Sequence, residues 1–129
     1  MDIVADASAV LAVVLNEESR DSIIRKTAGA SIAAPEVLPY EIGNALVAVN
    51  RRGRLTDQET LRAFDSARRI SISLLPVAIP EALGLAMRFG LYAYDVYYLQ
   101  CCIECRAPLL SLDARMCEVA RRLRIRIAE

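Results

Sequence analysis

The fold of this 129-residue chain is decided by its opening stretch, Met1-Asp2-Ile3-Val4-Ala5-Asp6-Ala7-Ser8-Ala9-Val10-Leu11. The apolar run at residues 3–5 is typical of a short strand buried on both faces of a parallel sheet. Asp6 follows where this run stops and helix-like spacing begins, so we expect its carboxylate at the carboxyl end of a central strand. In open α/β sheets, ligands bind at that edge. Ser8 is expected to cap the next helix, over residues 9–17, through its hydroxyl.

The rest of the chain alternates predicted helices with short strands. Ser19 is expected to open a second helix that ends at Gly29, and a capping box begins at Thr56. Further strands are predicted at residues 31–34, 70–75, 109–112 and 125–127, with two helices in each of the first three gaps and one in the last. Strands separated by helical crossovers indicate a parallel sheet with helices on both faces. One domain over residues 1–129 accounts for the whole sequence.

The composition indicates a compact protein whose charges balance. Apolar residues make up 55% of the chain, and 16 basic residues face 16 acidic ones, so the formal net charge is zero. Attraction to phosphates must therefore come from local patches and not from the chain as a whole. Arginine-rich runs occur, the first of them at Arg51 and Arg52, although solvated helix ends are the commoner explanation of such runs.

Neither a membrane segment nor a disulfide framework is expected. No apolar run has the length of a membrane helix, and no positively charged leader precedes the N-terminal run, so we expect a cytoplasmic protein without a membrane partner. Cys102 and Cys105 form a C-x-x-C pair that could bind zinc together with Cys117. Because these residues and Cys101 lie mostly within one helical stretch among apolar neighbours, buried thiols are the better explanation.

Four acidic residues follow predicted strands or open predicted helices. Asp6 and Asp113 come directly after strands, whereas Glu41 and Asp95 fall in the first turns of helices. Glu41 lies on a face of small and apolar residues, with Asn44 one turn later and able to hydrogen-bond it. A first-turn Asp95 could also serve its helix alone, by interacting with the macrodipole. If the strands are parallel, all four carboxylates meet at one edge of the sheet.

Carboxylates that meet in this way raise one another's pKa, and a hard divalent cation such as Mg²⁺ or Mn²⁺ removes that conflict. The chain has no histidine, which argues against zinc hydrolase and Ser-His-Asp chemistry. Metal-assisted phosphoryl transfer remains, in which the metal lowers the pKa of a water and offsets charge on the phosphate. A phosphatase of the haloacid dehalogenase kind also begins with an Asp at a strand tip. It needs a second Asp two residues later, where this chain has Ser8.

Several segments, taken in order, resemble PIN domains of the VapC toxin type: Ile3-Val4-Ala5-Asp6-Ala7-Ser8-Ala9-Val10-Leu11, Pro39-Tyr40-Glu41-Ile42-Gly43-Asn44-Ala45-Leu46, Gly90-Leu91, Tyr94-Asp95-Val96-Tyr97-Tyr98-Leu99 and Leu110-Ser111-Leu112-Asp113-Ala114-Arg115. Each motif is weak by itself, but the ordered set spans nearly the whole chain. The resemblance implies a three-layer α/β/α PIN-like domain whose central, mostly parallel sheet has four or five short strands.

The resemblance also implies a magnesium-dependent endoribonuclease, the toxin of a toxin-antitoxin pair, in which Mn²⁺ can substitute for Mg²⁺. The family's catalytic and metal-binding acids map onto Asp6, Glu41, Asp95 and Asp113. Glu41 is expected to be a further ligand or the base that orients water, while Ser8 and Asn44 support the site. A homodimer is implied as well, together with a small cognate antitoxin whose tail lies in an apolar groove and blocks the crevice.

The chain departs from the family pattern after Asp113. Ala114 and Arg115 follow, without a fifth acid, so a complete second metal site is not expected. Arg115 is instead a candidate for contact with RNA phosphate or with a partner's carboxylate, and Arg51 and Arg52 are further candidates for RNA contact. The alternative function is a catalytically silent PIN-like module that binds a protein or RNA. DNA also stays open as a substrate, because nothing in the acid cluster reads the 2′-hydroxyl.

Overall fold

A computed structural model describes residues 2–129 of the chain. Its strands are β1 (Asp2–Ala5), β2 (Ser31–Pro35), β3 (Ile72–Leu75) and β4 (Leu109–Leu110). Its helices are α1 (Ala7–Val14), α2 (Arg20–Thr27), α3 (Leu38–Arg51), α4 (Asp57–Arg68), α5 (Ile79–Phe89), α6 (Ala93–Cys105) and α7 (Ala114–Arg122). Among these residues, no helix is both long and apolar enough to span a membrane.

The four strands form one parallel sheet in the order β3-β2-β1-β4. Val4 in the central strand β1 pairs with Ala33 of β2 on one side and with Leu109 of β4 on the other. The chain first moves outward from β1 to β2 and β3, and α5 and α6 then return it to the other side of β1. The strand order therefore reverses between β1 and β4. Open parallel sheets bind their ligands at the carboxyl ends of the strands at such a reversal.

Side chains alternate across the sheet and divide the core into two parts. Ile3 and Ala5 pack on the side of α1 and α2, whereas Val4 packs on the side that holds α3, α6 and α7. All three residues are buried, so β1 is covered on both faces as its apolar run predicts. Helices on both faces of a parallel sheet make the three-layer α/β/α fold that was predicted.

One helix start and one helix cap differ from their predictions. Helix α1 begins at Ala7 because Asp6, and not Ser8, is its N-cap, and the Asp6 carboxylate accepts a hydrogen bond from the Ala9 amide at 3.0 Å. Ser19 precedes α2, but its side chain makes no capping hydrogen bond. The capping box at Thr56 is confirmed, with both of its reciprocal hydrogen bonds present.

The strands are shorter than predicted at three places. β3 begins only at Ile72, and β4 ends at Leu110, so that Ser111 and Leu112 follow the sheet edge. The fifth strand predicted at residues 125–127 is reduced to a single bridge between Ile127 and Leu109.

Candidate active site

Asp6 lies at the carboxyl end of β1 and is only 3% exposed. Its Oδ1 accepts hydrogen bonds from the Ser8 hydroxyl at 2.6 Å and from the Ala9 amide at 3.0 Å. Its Oδ2 accepts a hydrogen bond from the Ser111 hydroxyl at 2.5 Å. Three donors therefore fix both oxygens of this buried carboxylate.

The two serine hydroxyls that hold Asp6 are themselves held by the backbone. Ser8 Oγ accepts from the Leu112 amide and Ser111 Oγ from the Asp113 amide, each at 3.0 Å. Asp113 is the N-cap of α7, and its Oδ1 accepts from the Met116 amide at 3.1 Å. We call Asp6, Ser8, Ser111 and Asp113 the strand-tip network, because the ends of β1 and β4 build it.

Glu41 and Tyr98 face this network from two helices and bury polar atoms without partners. Glu41 lies in the first turn of α3 and Tyr98 within α6. Among residues 2–129, neither Glu41 Oε1 nor the Tyr98 hydroxyl makes a hydrogen bond, although both atoms are buried. The hydrogen bond predicted from Asn44 to Glu41 is wrong, because the Asn44 side chain is exposed on the solvent side of α3. An unpaired buried polar group costs about 1–3 kcal/mol, so the site leaves these two atoms available to a ligand.

Asp95 lies in the first turn of α6 and is half-buried. It does not cap the helix, because the N-cap is Tyr92, whose side chain makes no capping hydrogen bond. Within the part of the chain that the structure describes, the Asp95 carboxylate has no hydrogen-bond donor and no ion-pair partner at bonding distance. Asp95 therefore does not act as a cap, although its place in the first turn of α6 is also the one that interaction with the macrodipole requires.

The carboxylates influence one another across the site. Burial raises the pKa of Asp6, its three hydrogen bonds act in the opposite direction, and the charge of Asp113 raises it further. Burial also raises the pKa of Glu41, against the effect of the Tyr98 hydroxyl and with a further rise from Asp95 and Asp6. The pKa of Asp95 is raised by burial and then by the charges of Asp113 and Asp6. The structure thus brings the four predicted acids to one edge of the sheet.

As the side chains stand, no three acidic or cysteine residues among residues 2–129 form a set that could hold a metal ion. Asp6 is fixed by hydrogen bonds, whereas Asp113 is exposed and keeps its Oδ2 free of them. The unpartnered Glu41 Oε1 and the all-carboxylate donor set nevertheless fit a hard cation.

The cysteines are free thiols, of which Cys101, Cys102 and Cys117 are buried as predicted and Cys105 is only half-buried. Cys101 Sγ lies 4.0 Å from Cys105 Sγ, and burial together with Cys105 raises the pKa of Cys101 to about 12. Protonated thiols are poor metal ligands. The zinc alternative has no set of three ligands in the described range either.

The three arginines that were predicted to contact RNA or a partner lie on two different helices. Arg115 is exposed on α7, and its Nη2 donates a hydrogen bond to the Phe89 carbonyl at 3.0 Å. Arg51 and Arg52 lie at the far end of α3, and Arg51 is about 15 Å from Glu41 along the helix axis. Contact of this pair with RNA stays a prediction.

Two residues of the site were not assigned a role from the sequence. Ser111 holds Asp6 although 105 positions separate them, and no local pattern marks that pairing. Tyr98 lies three residues after Asp95, so helical spacing could have placed it on the same side of α6.

The sequence profile of the PIN domain matches residues 3–122 of this chain. Ribonuclease VapC3 of Pyrobaculum aerophilum is 26% identical over 123 residues, which cover 92% of this chain and 94% of that protein. Ribonuclease VapC9 of Mycobacterium tuberculosis is 29% identical over 119 residues, which cover 92% of this chain and 91% of that protein.

Solved structures share the fold. PAE2754 from Pyrobaculum aerophilum superposes with a TM-score of 0.70 at 24% identity, over 96% of this chain and 98% of that one. VapBC2 from Rickettsia felis, bound to a DNA fragment from their promoter, superposes with a TM-score of 0.67 at 12% identity, over 100% and 98%. Because the family profile matches nearly the whole sequence, the chain belongs to the PIN domain family.

Proposed function

We propose that this chain is a metal-dependent endoribonuclease, built as one PIN domain over residues 1–129, and that it is the toxin of a toxin-antitoxin pair. The observation that carries the proposal is the meeting of four carboxylates where the strand order reverses, with the pKa of three of them raised. The similarity to proteins named VapC ribonucleases supports RNA as the substrate.

The metal in this proposal is Mg²⁺, for which Mn²⁺ can substitute. Nucleases of this family generally use a divalent metal ion. Asp6, Asp95 and Asp113 would hold it, with Glu41 as a further ligand or as the base. When bound, the cation supplies a water of lowered pKa and offsets the charge that develops on the phosphate.

Three residues of the chain have separate roles in the proposed reaction. Asp6 is held by three donors before any ligand arrives, so it does not have to reorganise during the reaction. The raised pKa of Glu41 makes its carboxylate a stronger base than usual, which suits it to accept a proton from the attacking water. The Tyr98 hydroxyl keeps its proton because burial raises its pKa, so it is available as a hydrogen-bond donor near Glu41 although it makes no hydrogen bond in the structure.

A homodimer belongs to the proposal and is supported by one face of α5. Ile79, Leu83 and Met87 are 52%, 41% and 81% exposed and recur every four residues, so they share one side of the helix. An exposed apolar stripe of this kind marks an interaction surface. We expect Met87→Glu to convert the dimer into a monomer, which sedimentation velocity measures. Glu118→Gln on α7 is the control.

A small antitoxin is the proposed regulator. An apolar groove borders the first turn of α3, which carries Glu41, and its lining includes Leu38, Ile42, Phe64, Ile72 and Leu74. A chain segment bound there would end beside the acids and could block them. The similarity to VapBC2 from Rickettsia felis supports a partner of this kind.

Metal addition and removal test the activity. The purified chain should cleave single-stranded RNA with Mg²⁺ or Mn²⁺ and lose that cleavage in excess chelator. Mn²⁺ should also raise the melting temperature, because a ligand at 100 times its Kd stabilises the folded state by about 2.7 kcal/mol. Full cleavage in chelator would contradict the proposal.

The same measurements separate the alternatives. A catalytically silent module would show neither cleavage nor stabilisation by Mn²⁺, although it could still bind RNA. A DNA-directed nuclease would cleave a deoxyribonucleotide of the same sequence, with deoxyuridine at each uridine position, at least as fast as the RNA, since the sugar is then the only feature changed.

A further inference from the structure

Three arginine side chains gather around Phe89, at the end of α5. The guanidinium carbons of Arg88 and Arg122 each lie 4.9 Å from the centroid of the Phe89 ring. The third, Arg115, donates a hydrogen bond from Nη2 to the Phe89 carbonyl oxygen at 3.0 Å. We call Arg88, Phe89, Arg115 and Arg122 the arginine cluster.

The charges of this cluster are not neutralised by the protein. All three guanidinium groups belong to exposed residues, and within residues 2–129 no carboxylate lies within 4 Å of them. Glu118 lies between Arg115 and Arg122 in the sequence of α7 but forms no ion pair with either. The contacts with Phe89 hold the side chains in place without removing their charge. The result is an ordered, positively charged surface.

Helix α7 connects this surface to the acid site. Asp113 caps the helix, Arg115 follows two residues later, and Arg122 lies two turns further on the same side, about 10 Å along the axis from Arg115. Positive charge therefore begins beside the acids and continues away from them along one helix. Because the net charge of the whole chain is zero, attraction to phosphates has to come from a local arrangement of this kind.

We propose that the arginine cluster binds the phosphates of the single-stranded RNA that flank the bond to be cut, an inference that rests on the proposed ribonuclease function. Phosphates that follow one held at the acids would meet Arg115 first and Arg122 about 10 Å further along α7. Guanidinium groups bind phosphate oxygens through paired hydrogen bonds. Because Phe89 orders these groups in advance, less side-chain entropy is lost when RNA binds.

Binding in chelator separates this proposal from catalysis. A fluorescein-labelled single-stranded RNA is titrated with the full chain over a range of salt concentrations, and anisotropy gives Kd. The slope of log K against log salt is negative, and each lost phosphate contact should reduce its magnitude by about 0.7 for a single strand. We expect Arg115→Gln and Arg122→Gln each to reduce the magnitude by this amount and to weaken binding several-fold at low salt.

Arg121→Gln is the matched control. Arg121 is the neighbour of Arg122 on α7, is exposed and carries the same charge, but it does not contact Phe89. It should leave the slope nearly unchanged. Equal effects of Arg121→Gln and Arg122→Gln would overturn the proposal, because only the general charge of the surface would then matter.

Two further variants test the role of ordering. Phe89→Leu keeps every charge and should weaken RNA binding. Because Phe89 also packs against the core, a thermal melt must show that the variant is folded. Arg115→Lys keeps the charge but loses the paired donors, and should bind less tightly than the parent without any risk to the core. If Arg115→Lys and a folded Phe89→Leu both bind RNA as tightly as the parent does, the proposal is overturned.

The outcomes also distinguish this inference from the proposed function. If the variants change the salt slopes as expected but the chain does not cleave RNA with any metal, the proposed ribonuclease function is overturned and RNA binding by the arginine cluster is supported. If the chain cleaves RNA but the slopes are unchanged in Arg115→Gln and Arg122→Gln, only the proposed role of the arginine cluster is overturned. Variants that bind RNA normally but lose binding to polyglutamate would likewise overturn it, in favour of an acidic protein partner.

Discussion

The two halves of the acid site hold their carboxylates in opposite ways. On the strand side, Asp6 receives three hydrogen bonds, and the serine hydroxyls that donate two of them are themselves held by backbone amides. On the helix side, Glu41 Oε1 and the Tyr98 hydroxyl are buried without hydrogen bonds, and Asp95 has no donor within the described chain. One half is complete before any ligand binds, and the other is not.

This difference follows from which elements supply each half. The ends of β1 and β4 are joined by the Asp6 amide, which donates to the Leu110 carbonyl, so their side chains share one rigid frame. Glu41 and Asp95 instead come from the first turns of separate helices. Unsatisfied groups at a functional site lower stability, and a ligand that satisfies them recovers it. The strand side therefore positions the ligand, while the helix side responds to it.

The largest loss of activity is expected on the strand side of the site, from a substitution of Asp6. Asp6→Asn removes the carboxylate of the site that three donors fix through both of its oxygens, and we expect RNA cleavage to fall by on the order of 10³-fold or more. The asparagine carbonyl can still accept from the Ala9 amide, so circular dichroism should be unchanged. Asp21→Asn, at an exposed position on α2, is the control and should keep full activity. A loss of only a few-fold in Asp6→Asn would mean that the strand side is not the centre of the site.

A smaller loss is expected when Asp6 keeps its charge but loses a donor. Ser111→Ala removes the hydrogen bond to Oδ2, and changes of this kind typically reduce metal affinity or activity about 10–100-fold. The Mn²⁺ concentration that gives half of the thermal stabilisation measures the affinity. Ser66→Ala, on the exposed side of α4, is the matched control. If Ser111→Ala binds Mn²⁺ as tightly as the parent does, the network is structural only.

Local sequence chemistry was sufficient to predict much of the fold. The apolar run before Asp6, the capping box at Thr56 and the glycine at 90, which ends α5 in the left-handed conformation with φ of 65°, each act within a few residues. The order of elements and the placement of the acids after strands or in first helical turns follow from the same signals. These features need no knowledge of distant partners.

The parts that could not be predicted depend on contacts between distant segments. The return of the chain to the far side of β1 sets the strand order, and with it the pairing of Ser111 with Asp6. Asn44 has the spacing to reach Glu41, but the orientation of its side chain is not a property of spacing. The approach of Arg122 to Phe89 likewise joins two helices that are remote in sequence.

For Tyr98→Phe, on the helix side of the site, we expect a smaller loss of activity than for Ser111→Ala. If the hydroxyl donates to Glu41 during the reaction, its loss should lower kcat several-fold without changing KM. The hydroxyl also lowers the pKa of Glu41, so its removal should move the acid limb of the cleavage profile to higher pH. Tyr97→Phe, on the neighbouring residue, controls for loss of a phenol. An unchanged pH profile would mean that Tyr98 does not act on Glu41.

The smallest effect concerns stability and has the opposite sign from the losses above. The pKa of Glu41 is raised in the folded state, so its ionised form destabilises the protein at pH values above that pKa, and this penalty disappears as the pH falls toward the unfolded value of about 4.3. Glu41→Gln should therefore raise the free energy of unfolding at neutral pH, by less than about 1 kcal/mol because water screens a half-buried group.

Glu59 is the control for this measurement of stability against pH, because its pKa is shifted in the opposite direction from that of Glu41. Hydrogen bonds from Thr56 lower the pKa of Glu59, so its ionised form stabilises the folded state above the unfolded pKa and this contribution is lost in acid. Urea unfolding at a series of pH values should show Glu41→Gln gaining its advantage as the pH rises, while Glu59→Gln becomes less stable than the parent over the same range. If Glu41→Gln is destabilised at neutral pH, Glu41 has a partner in the folded protein, and the helix side would be as complete as the strand side.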